Sequence, residues 1–226
     1  MAQVNNPRPG RDSSGAEPIV KVIDLCKAYG GIRAVDGVSF SIDAGEVFGI
    51  LGPNGAGKTT FCDLVSGKTP VTTGKVFYDG DEITHVQEVD IARRGIGRKF
   101  QTPTVFDSLT TFENLELSLP GRQGLWSNLL RATTAAETER IEALLERVRL
   151  TEVRDTEASQ LSHGQRQWLA ISALILTEPK LLLVDEPAAG LTDAETALTA
   201  ELLLELKDEH TIIVIEHDMD FVRQLD

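Results

Sequence analysis

A glycine-rich run at residues 52–60 has the residue types and spacing of a loop that binds a chain of phosphates. It reads Gly-Pro-Asn-Gly-Ala-Gly-Lys-Thr-Thr and fits the pattern G-x-x-x-x-G-K-[ST]. In this pattern backbone N–H groups curl around phosphate oxygens, the lysine reaches the β- and γ-phosphates, and the next hydroxyl, that of Thr59, can ligate Mg²⁺. A glycine-rich turn that binds nothing is the alternative. The residues expected to contact the nucleotide are Gly52, Asn54, Gly55, Ala56, Gly57, Lys58, Thr59 and Thr60.

Two acidic residues, Asp185 and Glu186, directly follow the apolar run Leu-Leu-Leu-Val at 181–184. Such a run is typical of a parallel strand covered on both faces, and the carboxyl ends of parallel strands form the ligand edge of an open sheet. We expect Asp185 to hold Mg²⁺ through water and Glu186 to orient or polarise the water that attacks the γ-phosphate. An acidic strand end that only faces solvent is the competing interpretation.

His217 and Tyr29 are two further candidates. His217 follows the apolar strand predicted over 211–215 and therefore reaches the same edge. A lone histidine is usually structural, but this one is placed to hydrogen-bond the γ-phosphate and sense its presence. For Tyr29, which lies between two predicted N-terminal strands, core packing and the stacking of a nucleobase both remain open.

The elements around these residues predict an α/β fold. Residues 1–18 have no apolar period and are expected to be a disordered leader. Two N-terminal β-strands precede the phosphate loop, a buried strand at 46–51 leads into it, and a helix follows it. A turn is then predicted over 71–74, a strand over 75–79 and a hairpin at Asp79-Gly80. A further helix is predicted over 135–150, and Trp168 is expected to pack rather than to contact a ligand. The α/β core is assigned to residues 19–101 and 161–226, and a helical subdomain inserted into it to residues 102–160.

Composition excludes several classes of protein. The chain has 226 residues, of which 41% are hydrophobic, and a formal net charge of −13, so a dedicated nucleic-acid surface has little support. The basic residues Arg93, Arg94, Arg98 and Lys99 are interpreted as a solvated face. Since no apolar run approaches the roughly 18 residues of a membrane span and no signal peptide is visible, we expect a soluble, cytoplasmic chain.

In order and spacing, several of these motifs together resemble the nucleotide-binding subunits of ABC transporters, a likeness that covers about residues 19–226. It implies the fold of that P-loop NTPase family, with a mostly parallel sheet, N-terminal antiparallel strands and an inserted helical subdomain, and ATP and Mg²⁺ as cofactors. It also implies that Tyr29 stacks on adenine and that Gln101, at the Mg²⁺ site, couples catalysis to the membrane subunit. The residues that carry it are Tyr29, the phosphate loop, Gln101, the run Leu-Ser-His-Gly-Gln at 161–165, the run 181–186 and His217.

The run 161–165 predicts a second anion site. Ser162 is a good N-cap, and the free N–H groups and dipole at the start of its helix favour an anion. In ABC transporters this signature run closes on the ATP of a partner subunit, which implies nucleotide contacts from Ser162, Gly164 and Gln165. Because Leu161 is far along the chain from Lys58, a head-to-tail dimer of identical or paralogous subunits is the economical arrangement.

Three features depart from the family pattern. His163 stands where glycine is usual, and Thr192 where most members have aspartate; Asp193 is a possible substitute for that aspartate and the expected cap of the next helix. Activity is expected to survive the first change because Ser162 and Gly164 are retained. The chain also ends sooner after His217 than is usual, so a truncated C-terminus is expected.

The runs 95–106, 161–169 and 185–195 further resemble the ATPase subunit of urea importers, a group close to the branched-chain amino acid importers. The resemblance implies an ATP-hydrolysing subunit that energises uptake of a small solute, with urea as the first expectation and a branched-chain amino acid as the alternative. The implied partners are transmembrane permease subunits, a second ATPase subunit and, indirectly, a periplasmic solute-binding protein. The implied location is the cytoplasmic face of the bacterial plasma membrane.

Two rival functions fit the residues less well. A soluble ABC ATPase that works on DNA or ribosomes would usually pair two ATPase domains or carry basic insertions, whereas this chain is acidic and has one such domain. A P-loop kinase would not explain the run 161–165. It would transfer phosphate to an acceptor molecule rather than to water.

Overall fold

Two β-sheets frame the chain in the computed structural model, which describes residues 3–4, 17–99, 105–120 and 133–225. The strands are β1 (Gln3–Val4), β2 (Val20–Tyr29), β3 (Ile32–Ile42), β4 (Val47–Leu51), β5 (Thr73–Tyr78), β6 (Asp81–Glu82), β7 (Ile96–Lys99), β8 (Leu181–Asp185) and β9 (Thr211–Glu216). The helices are α1 (Lys58–Val65), α2 (Glu88–Arg93), α3 (Thr111–Leu117), α4 (Ala135–Arg147), α5 (His163–Ile175), α6 (Asp193–Leu206) and α7 (Met219–Arg223). Short 3₁₀ turns lie at Thr151–Val153 and Ala158–Gln160.

The larger sheet has the strand order β1-β4-β9-β8-β7, in which β4, β9, β8 and β7 are parallel and β1 pairs antiparallel with β4. Strand β8 is buried along its whole length, as its apolar run predicts. Its side chains alternate between two layers: Leu181 and Leu183 pack in the cluster that contains α1, and Leu182 and Val184 in the cluster that contains α5 and α6. A sheet covered on both faces is therefore confirmed.

The smaller sheet is antiparallel, with the order β3-β2-β5-β6, and it supplies the predicted N-terminal strands. The predicted hairpin after β5 is confirmed, since Asp79 and Gly80 both have positive φ values, 50° and 83°, as a tight turn of the primed type requires. The turn predicted over 71–74 is too long. Thr73 already belongs to β5, because it pairs with Cys26 of β2.

Helices α3 and α4 occupy the predicted insert. Each begins with a capping box, Thr110 with Glu113 and Thr134 with Glu137, which satisfies the first free N–H groups of the helix. The apolar side chains of α4 pack in the same cluster as α5 and α6. Helix α4 ends before the predicted residue 150, since Arg149 has a φ of 59°.

The predicted leader can be described only at Gln3–Val4, where β1 pairs with Leu51 and Ile50. The rest of residues 1–16 lies outside the described residues, and so does the part of the insert at 121–132. In the described ranges, no helix is both long enough and apolar enough to cross a membrane.

Candidate active site

The phosphate loop lies between β4 and α1, the setting that its motif requires. Gly55 and Gly57 have φ values of 82° and 89°, which side chains rarely adopt. At Gly57 there is also no room, because a Cβ atom would lie 2.0 Å from the Ala34 carbonyl oxygen. Gly57 is the N-cap of α1 and provides no side-chain cap. The first N–H groups of α1 therefore remain available to an anion.

Lys58 lies over this loop rather than in solvent. Its Nζ donates hydrogen bonds to the carbonyl oxygens of Gly52, at 2.6 Å, and of Pro53, at 3.2 Å. The side chain is buried, while Thr59 beside it is exposed. The loop thus keeps a positive charge close to its own backbone, where the phosphates of a nucleotide would need it.

The order of the parallel strands brings the other candidates to the same edge. Leu51, the last residue of β4, is the partner of Glu216 at the end of β9, and Ile215 of β9 is the partner of Asp185 at the end of β8. Asp185, Glu186 and His217 therefore follow strands that end beside the one leading into the phosphate loop. The sequence prediction of a shared ligand edge is consistent with this register.

Asp185 is buried, with 2% of its surface exposed. Burial raises the pKa of its carboxyl group; Glu186 acts in the same direction, whereas Arg98, Lys99 and Lys58 oppose the rise. Within the described ranges the Oδ1 atom has no hydrogen-bond partner. A buried carboxylate oxygen without a partner is costly, so the geometry favours a ligand at this atom.

Glu186 and His217 lie close to each other. The backbone of Glu186 has a φ of 49°, and its N–H donates to the Ile215 carbonyl at 2.9 Å. His217 Nδ1 lies 3.8 Å from Glu186 Oε1 and 3.6 Å from Glu216 Oε2. A positive φ is costly in a residue other than glycine and persists only where the surrounding structure holds it.

Two charged residues at this edge, Lys99 and Glu216, are buried although the sequence analysis does not predict it. Lys99 ends β7 and is 4% exposed, and Glu216 ends β9 and is 1% exposed. Burial lowers the pKa of Lys99 to about 8, while Asp185, Glu216 and Glu186 oppose the fall. Their position at the carboxyl ends of strands was the available signal, since β7 and β9 belong to the same parallel sheet as β8.

The basic face predicted around residues 93–99 is therefore only half correct. Arg93 and Arg94 are exposed and pair with Asp90 and Asp81, at 3.2 and 3.3 Å. Arg98 and Lys99 face the interior instead, and Arg98 pairs with Asp63 of α1 at 2.6 Å. That prediction was wrong for both of these residues because β7 is covered by other elements.

The signature run begins α5 as expected. Ser162 is its N-cap and forms a capping box with Gln165: Ser162 Oγ accepts from the Gln165 N–H at 3.2 Å, and the Ser162 N–H donates to Gln165 Oε1 at 2.9 Å. A Cβ at Gly164 would lie 2.7 Å from Glu195 Oε1, so a side chain there would displace the carboxylate that forms the capping box of α6. In the described residues, no hydrogen bond or ion pair joins 162–165 to the phosphate loop.

The two departures in sequence, His163 and Thr192, lie at neighbouring contacts. His163 Nε2 is 3.1 Å from the Ala189 carbonyl oxygen, in the loop that follows Glu186. Thr192 ends this loop as the N-cap of α6 and forms a capping box with Glu195. The prediction that Asp193 caps this helix is wrong, because Asp193 is its first residue.

The structure describes the surroundings of Tyr29 but not those of Gln101. Tyr29 is 50% exposed at the β2–β3 hairpin, so core packing does not describe it, and Lys27 Nζ lies 4.9 Å from the centre of its ring. Gln101 lies outside the described residues. Trp168 packs in the core, as predicted, and donates a hydrogen bond to Thr199 Oγ1 at 3.1 Å.

A doubly covered parallel sheet, with a phosphate loop and strand-end acids at its carboxyl edge, defines a P-loop nucleotide-binding ATPase. Residues 35–189 match the family described as ABC transporter. The chain belongs to the ABC transporter family and is an ATP-hydrolysing cassette of it. The predicted family and fold class are confirmed.

Two relatives of this chain are named for the transport of branched-chain amino acids. The chain is 37% identical over 221 residues to the high-affinity branched-chain amino acid transport ATP-binding protein BraF of Pseudomonas aeruginosa, with 93% of this chain and 86% of the relative covered. It is 35% identical over 216 residues to the corresponding LivG protein of Escherichia coli K12, with 92% and 85% covered. Both names support the importer group that the sequence predicts.

Solved structures agree with the fold. A nucleotide-free ATP-binding cassette from an ABC transporter superposes with a TM-score of 0.79 at 31% identity, covering 92% of this chain and 85% of that one. The ADP conformation of such a cassette gives 0.79 at 32% identity, covering 92% and 84%. A dimeric post-hydrolysis state bound to ADP and Pi gives 0.76 at 28%, covering 91% and 90%. Nucleotide binding is thus shown for structures of this fold.

Proposed function

We propose that this chain hydrolyses MgATP to energise an importer of branched-chain amino acids. The observation that carries the catalytic part is the register of the parallel sheet, which brings the phosphate loop, Asp185, Glu186 and His217 to one edge. The solute is inferred from the relatives, which are named for branched-chain amino acid transport. Urea, the first expectation, has no support among the relatives reported above.

The phosphate loop binds ATP in this proposal. Lys58 exchanges its hydrogen bonds to Gly52 and Pro53 for oxygens of the β- and γ-phosphates, and the first N–H groups of α1 donate to the same phosphates. Tyr29 is exposed at a hairpin tip and stacks on the adenine.

Thr59 and Asp185 fit a Mg²⁺ site. Thr59 offers a hydroxyl beside the phosphate loop, and Asp185 offers a buried carboxylate oxygen that has no partner among the described residues. Hard oxygen ligands of this kind suit Mg²⁺, which usually keeps several waters and is shared with phosphates. When bound, Mg²⁺ would neutralise charge on the phosphates. Gln101 is proposed as a further ligand on the resemblance alone.

Glu186 is the proposed general base or water-orienting residue. Its carboxylate lies at the sheet edge, 3.8 Å from His217 Nδ1, so the two side chains can act on the same attacking water and γ-phosphate. His217 senses the γ-phosphate by a hydrogen bond. In phosphoryl transfer, catalysis depends mainly on this positioning and on charge stabilisation.

A second ATPase subunit completes the site in this proposal. Ser162, Gly164 and Gln165 begin α5 with N–H groups that favour an anion, but they make no hydrogen bond to the phosphate loop of their own chain in the described part. We therefore place the partner's ATP on this signature run. The partner is a second copy of this chain or a paralogue.

The remaining partners follow from the importer role. Transmembrane permease subunits would contact the region from Gln101 to Asp107 and the helical insert, at the cytoplasmic face of the bacterial plasma membrane. A periplasmic solute-binding protein would deliver the amino acid to those permeases. The relatives are named as transport ATP-binding proteins, which supports a subunit of a larger complex.

The catalytic assignment is tested with Glu186→Gln. The variant should bind ATP normally, lose at least about a hundredfold in hydrolysis, and accumulate as an ATP-bound dimer in size-exclusion chromatography. Glu205→Gln is the matched control, because Glu205 is exposed on α6 away from the sheet edge; it should behave as wild type. Normal turnover by Glu186→Gln would contradict the role of Glu186.

The solute is tested by uptake. Deletion of the gene should abolish uptake of labelled leucine, isoleucine or valine at low external concentration, and the wild-type gene should restore it, whereas Glu186→Gln should not. Loss of urea uptake with normal amino acid uptake would favour the urea alternative. Loss of neither would contradict the importer assignment for both solutes.

A further inference from the structure

Glu216 is a buried carboxylate that the proposed mechanism leaves without a role. It is the last residue of β9 and 1% exposed. Removing a carboxylate from water costs several kcal/mol unless hydrogen bonds and charge compensate for it. The sequence singled out only its neighbour, His217.

The two oxygens of this carboxylate reach different parts of the active site. Glu216 Oε1 accepts a hydrogen bond from the Ala188 N–H at 3.0 Å. Glu216 Oε2 accepts from the His217 N–H at 3.1 Å and lies 3.6 Å from His217 Nδ1. One rigid group therefore contacts both the loop that follows Glu186 and the histidine that faces Glu186.

The loop after Glu186 is held at three consecutive residues. Gln167 Nε2 of α5 donates to the Pro187 carbonyl, Glu216 accepts from Ala188, and His163 Nε2 is 3.1 Å from the Ala189 carbonyl. Gln167 and Glu216 are both buried. The position of Glu186 is thus fixed from the signature helix on one side and from β9 on the other.

The ring of His217 faces two carboxylates. Its Nδ1 atom lies 3.8 Å from Glu186 Oε1 and 3.6 Å from Glu216 Oε2, just beyond hydrogen-bond distance. An ionised carboxylate only accepts hydrogen bonds, so a small approach of the ring would give a hydrogen bond only in the form that carries its proton on Nδ1. In the proposal that follows, Glu216, which is held by the Ala188 N–H, favours this tautomer and this orientation of the ring.

We propose that Glu216 is a positioning residue for ATP hydrolysis, which holds His217 and the backbone next to Glu186 in the geometry of the reaction. This inference rests on the proposed catalytic role of Glu186. Glu216 does not touch ATP in the proposal. Its removal should therefore lower the rate of hydrolysis and leave nucleotide binding unchanged.

The test is Glu216→Gln, which keeps the size of the side chain and an oxygen for the Ala188 N–H but removes the charge. We expect kcat to fall about tenfold or more and KM for ATP to stay within about twofold. Glu216→Asp, which restores the charge on a shorter chain, should recover part of kcat. A wild-type kcat in Glu216→Gln, or a change confined to KM, would overturn the proposal.

A double variant separates positioning from loss of stability. In a His217→Ala background, Glu216→Gln should cause little further loss of kcat, because residues that act through one another are not additive. A full tenfold loss in that background would also overturn the proposal. Thr199→Val is the matched control: it removes a buried hydrogen bond from Trp168 far from the sheet edge, and it should leave kcat unchanged.

Nuclear magnetic resonance supplies a readout that a structural role would not change. The protein has four histidines, so the His217 ring nitrogens can be assigned by comparison with His217→Ala. Protonated Nδ1 is expected to be the main form in the wild type and a smaller fraction in Glu216→Gln, in which only Glu186 still faces this nitrogen; an unchanged fraction contradicts the proposal. If Glu216→Gln does not fold, the double variant Lys99→Met/Glu216→Gln removes both buried charges. The same measurements of kcat and of the His217 tautomer then test the proposal in that variant.

The two variants distinguish an error in the role of Glu216 from an error in the proposed function. If Glu186→Gln still hydrolyses ATP, the catalytic assignment itself is wrong. If Glu186→Gln is inactive while Glu216→Gln retains wild-type kcat and the wild-type tautomer, only the role of Glu216 is wrong.

Discussion

Among single residues, buried charges at the ends of neighbouring strands distinguish the candidate active site. Asp185, Lys99 and Glu216 all lie at the carboxyl edge of the parallel sheet, and each is almost completely buried. Burial raises the pKa of Asp185 and lowers the pKa of Lys99. Such an arrangement is destabilising for the fold alone and is typical of sites that bind charged ligands.

Lys99→Met should stabilise the fold at neutral pH. The pKa of Lys99 is lowered from 10.5 to about 8 in the folded chain, mainly by burial, so the unfolded chain binds this proton more tightly. Wild-type stability therefore rises with pH between about 8 and 10.5. The stabilisation of Lys99→Met at pH 7 should be at most about 3 kcal/mol, and it should shrink as the pH rises through that window.

The measurement is urea unfolding of both proteins at pH 7 and at the upper end of the window, without nucleotide. Lys68→Met serves as the control, since Lys68 is a lysine outside the buried core. A pH-independent difference between wild type and Lys99→Met, or a destabilised variant at pH 7, would contradict the buried-charge interpretation.

Among the structural elements, the phosphate loop depends on two glycines, and each position excludes a side chain for a different reason. Gly55 and Gly57 both have positive φ, but only Gly57 lies against another backbone, that of Ala34 in β3. The loop is therefore packed on the antiparallel sheet at one point and open at the other. This contact ties the smaller sheet to the nucleotide site.

Gly57→Ala should destabilise the fold far more than Gly55→Ala. At Gly55 a Cβ has nothing within 4 Å, so only the strained φ contributes, about 1–2 kcal/mol. At Gly57 the Cβ would lie 2.0 Å from the Ala34 oxygen, and the loop or β3 must move. Urea unfolding without nucleotide compares the two variants, and equal losses of unfolding free energy would show that the contact with Ala34 is unimportant.

In the molecule as a whole, the two proposed half-sites, the phosphate loop and the signature run, make no hydrogen bond to each other within the described residues. The phosphate loop begins α1, and the signature run begins α5, with contacts to the loop after β8. A symmetric head-to-tail dimer would join each half-site to the other half of its partner. Activity should then depend on residues from both subunits at every site.

Mixtures of two inactive variants test this arrangement. Lys58→Ala removes phosphate binding. Ser162→Asp keeps a good N-cap but places a negative charge where the partner's phosphate would bind, so each variant alone should lose ATPase activity. After unfolding and refolding together, mixed dimers contain one intact composite site, and about a quarter of wild-type activity should return for independent sites.

The controls in this experiment separate the alternatives. Ser162→Ala tests loss of the cap, and it should reduce stability by about 1 kcal/mol without the charge effect. No recovery in the mixture would mean that the two half-sites act within one chain or that the natural partner is a paralogue. Adding the paralogous subunit would then distinguish these two outcomes.

The parts of this protein that depend on neighbours along the chain can be predicted from local residue types. The phosphate loop, the cap at Ser162 and the buried strand before Asp185 each follow from local residue types, because turn, cap and strand preferences act over a few residues. The turn before β5 and the cap of α6 were misjudged at their boundaries, where several local choices are close in energy.

Tertiary packing determines which residues share the candidate active edge and which charges are buried there. The strand order β4-β9-β8-β7 joins residues that are far apart in the chain, and no local pattern specifies that order. The sequence pattern does not reveal that Lys99 and Glu216 are buried, because burial depends on what packs against a strand. Their charges acquire a role only when the sheet places them beside Asp185 and His217.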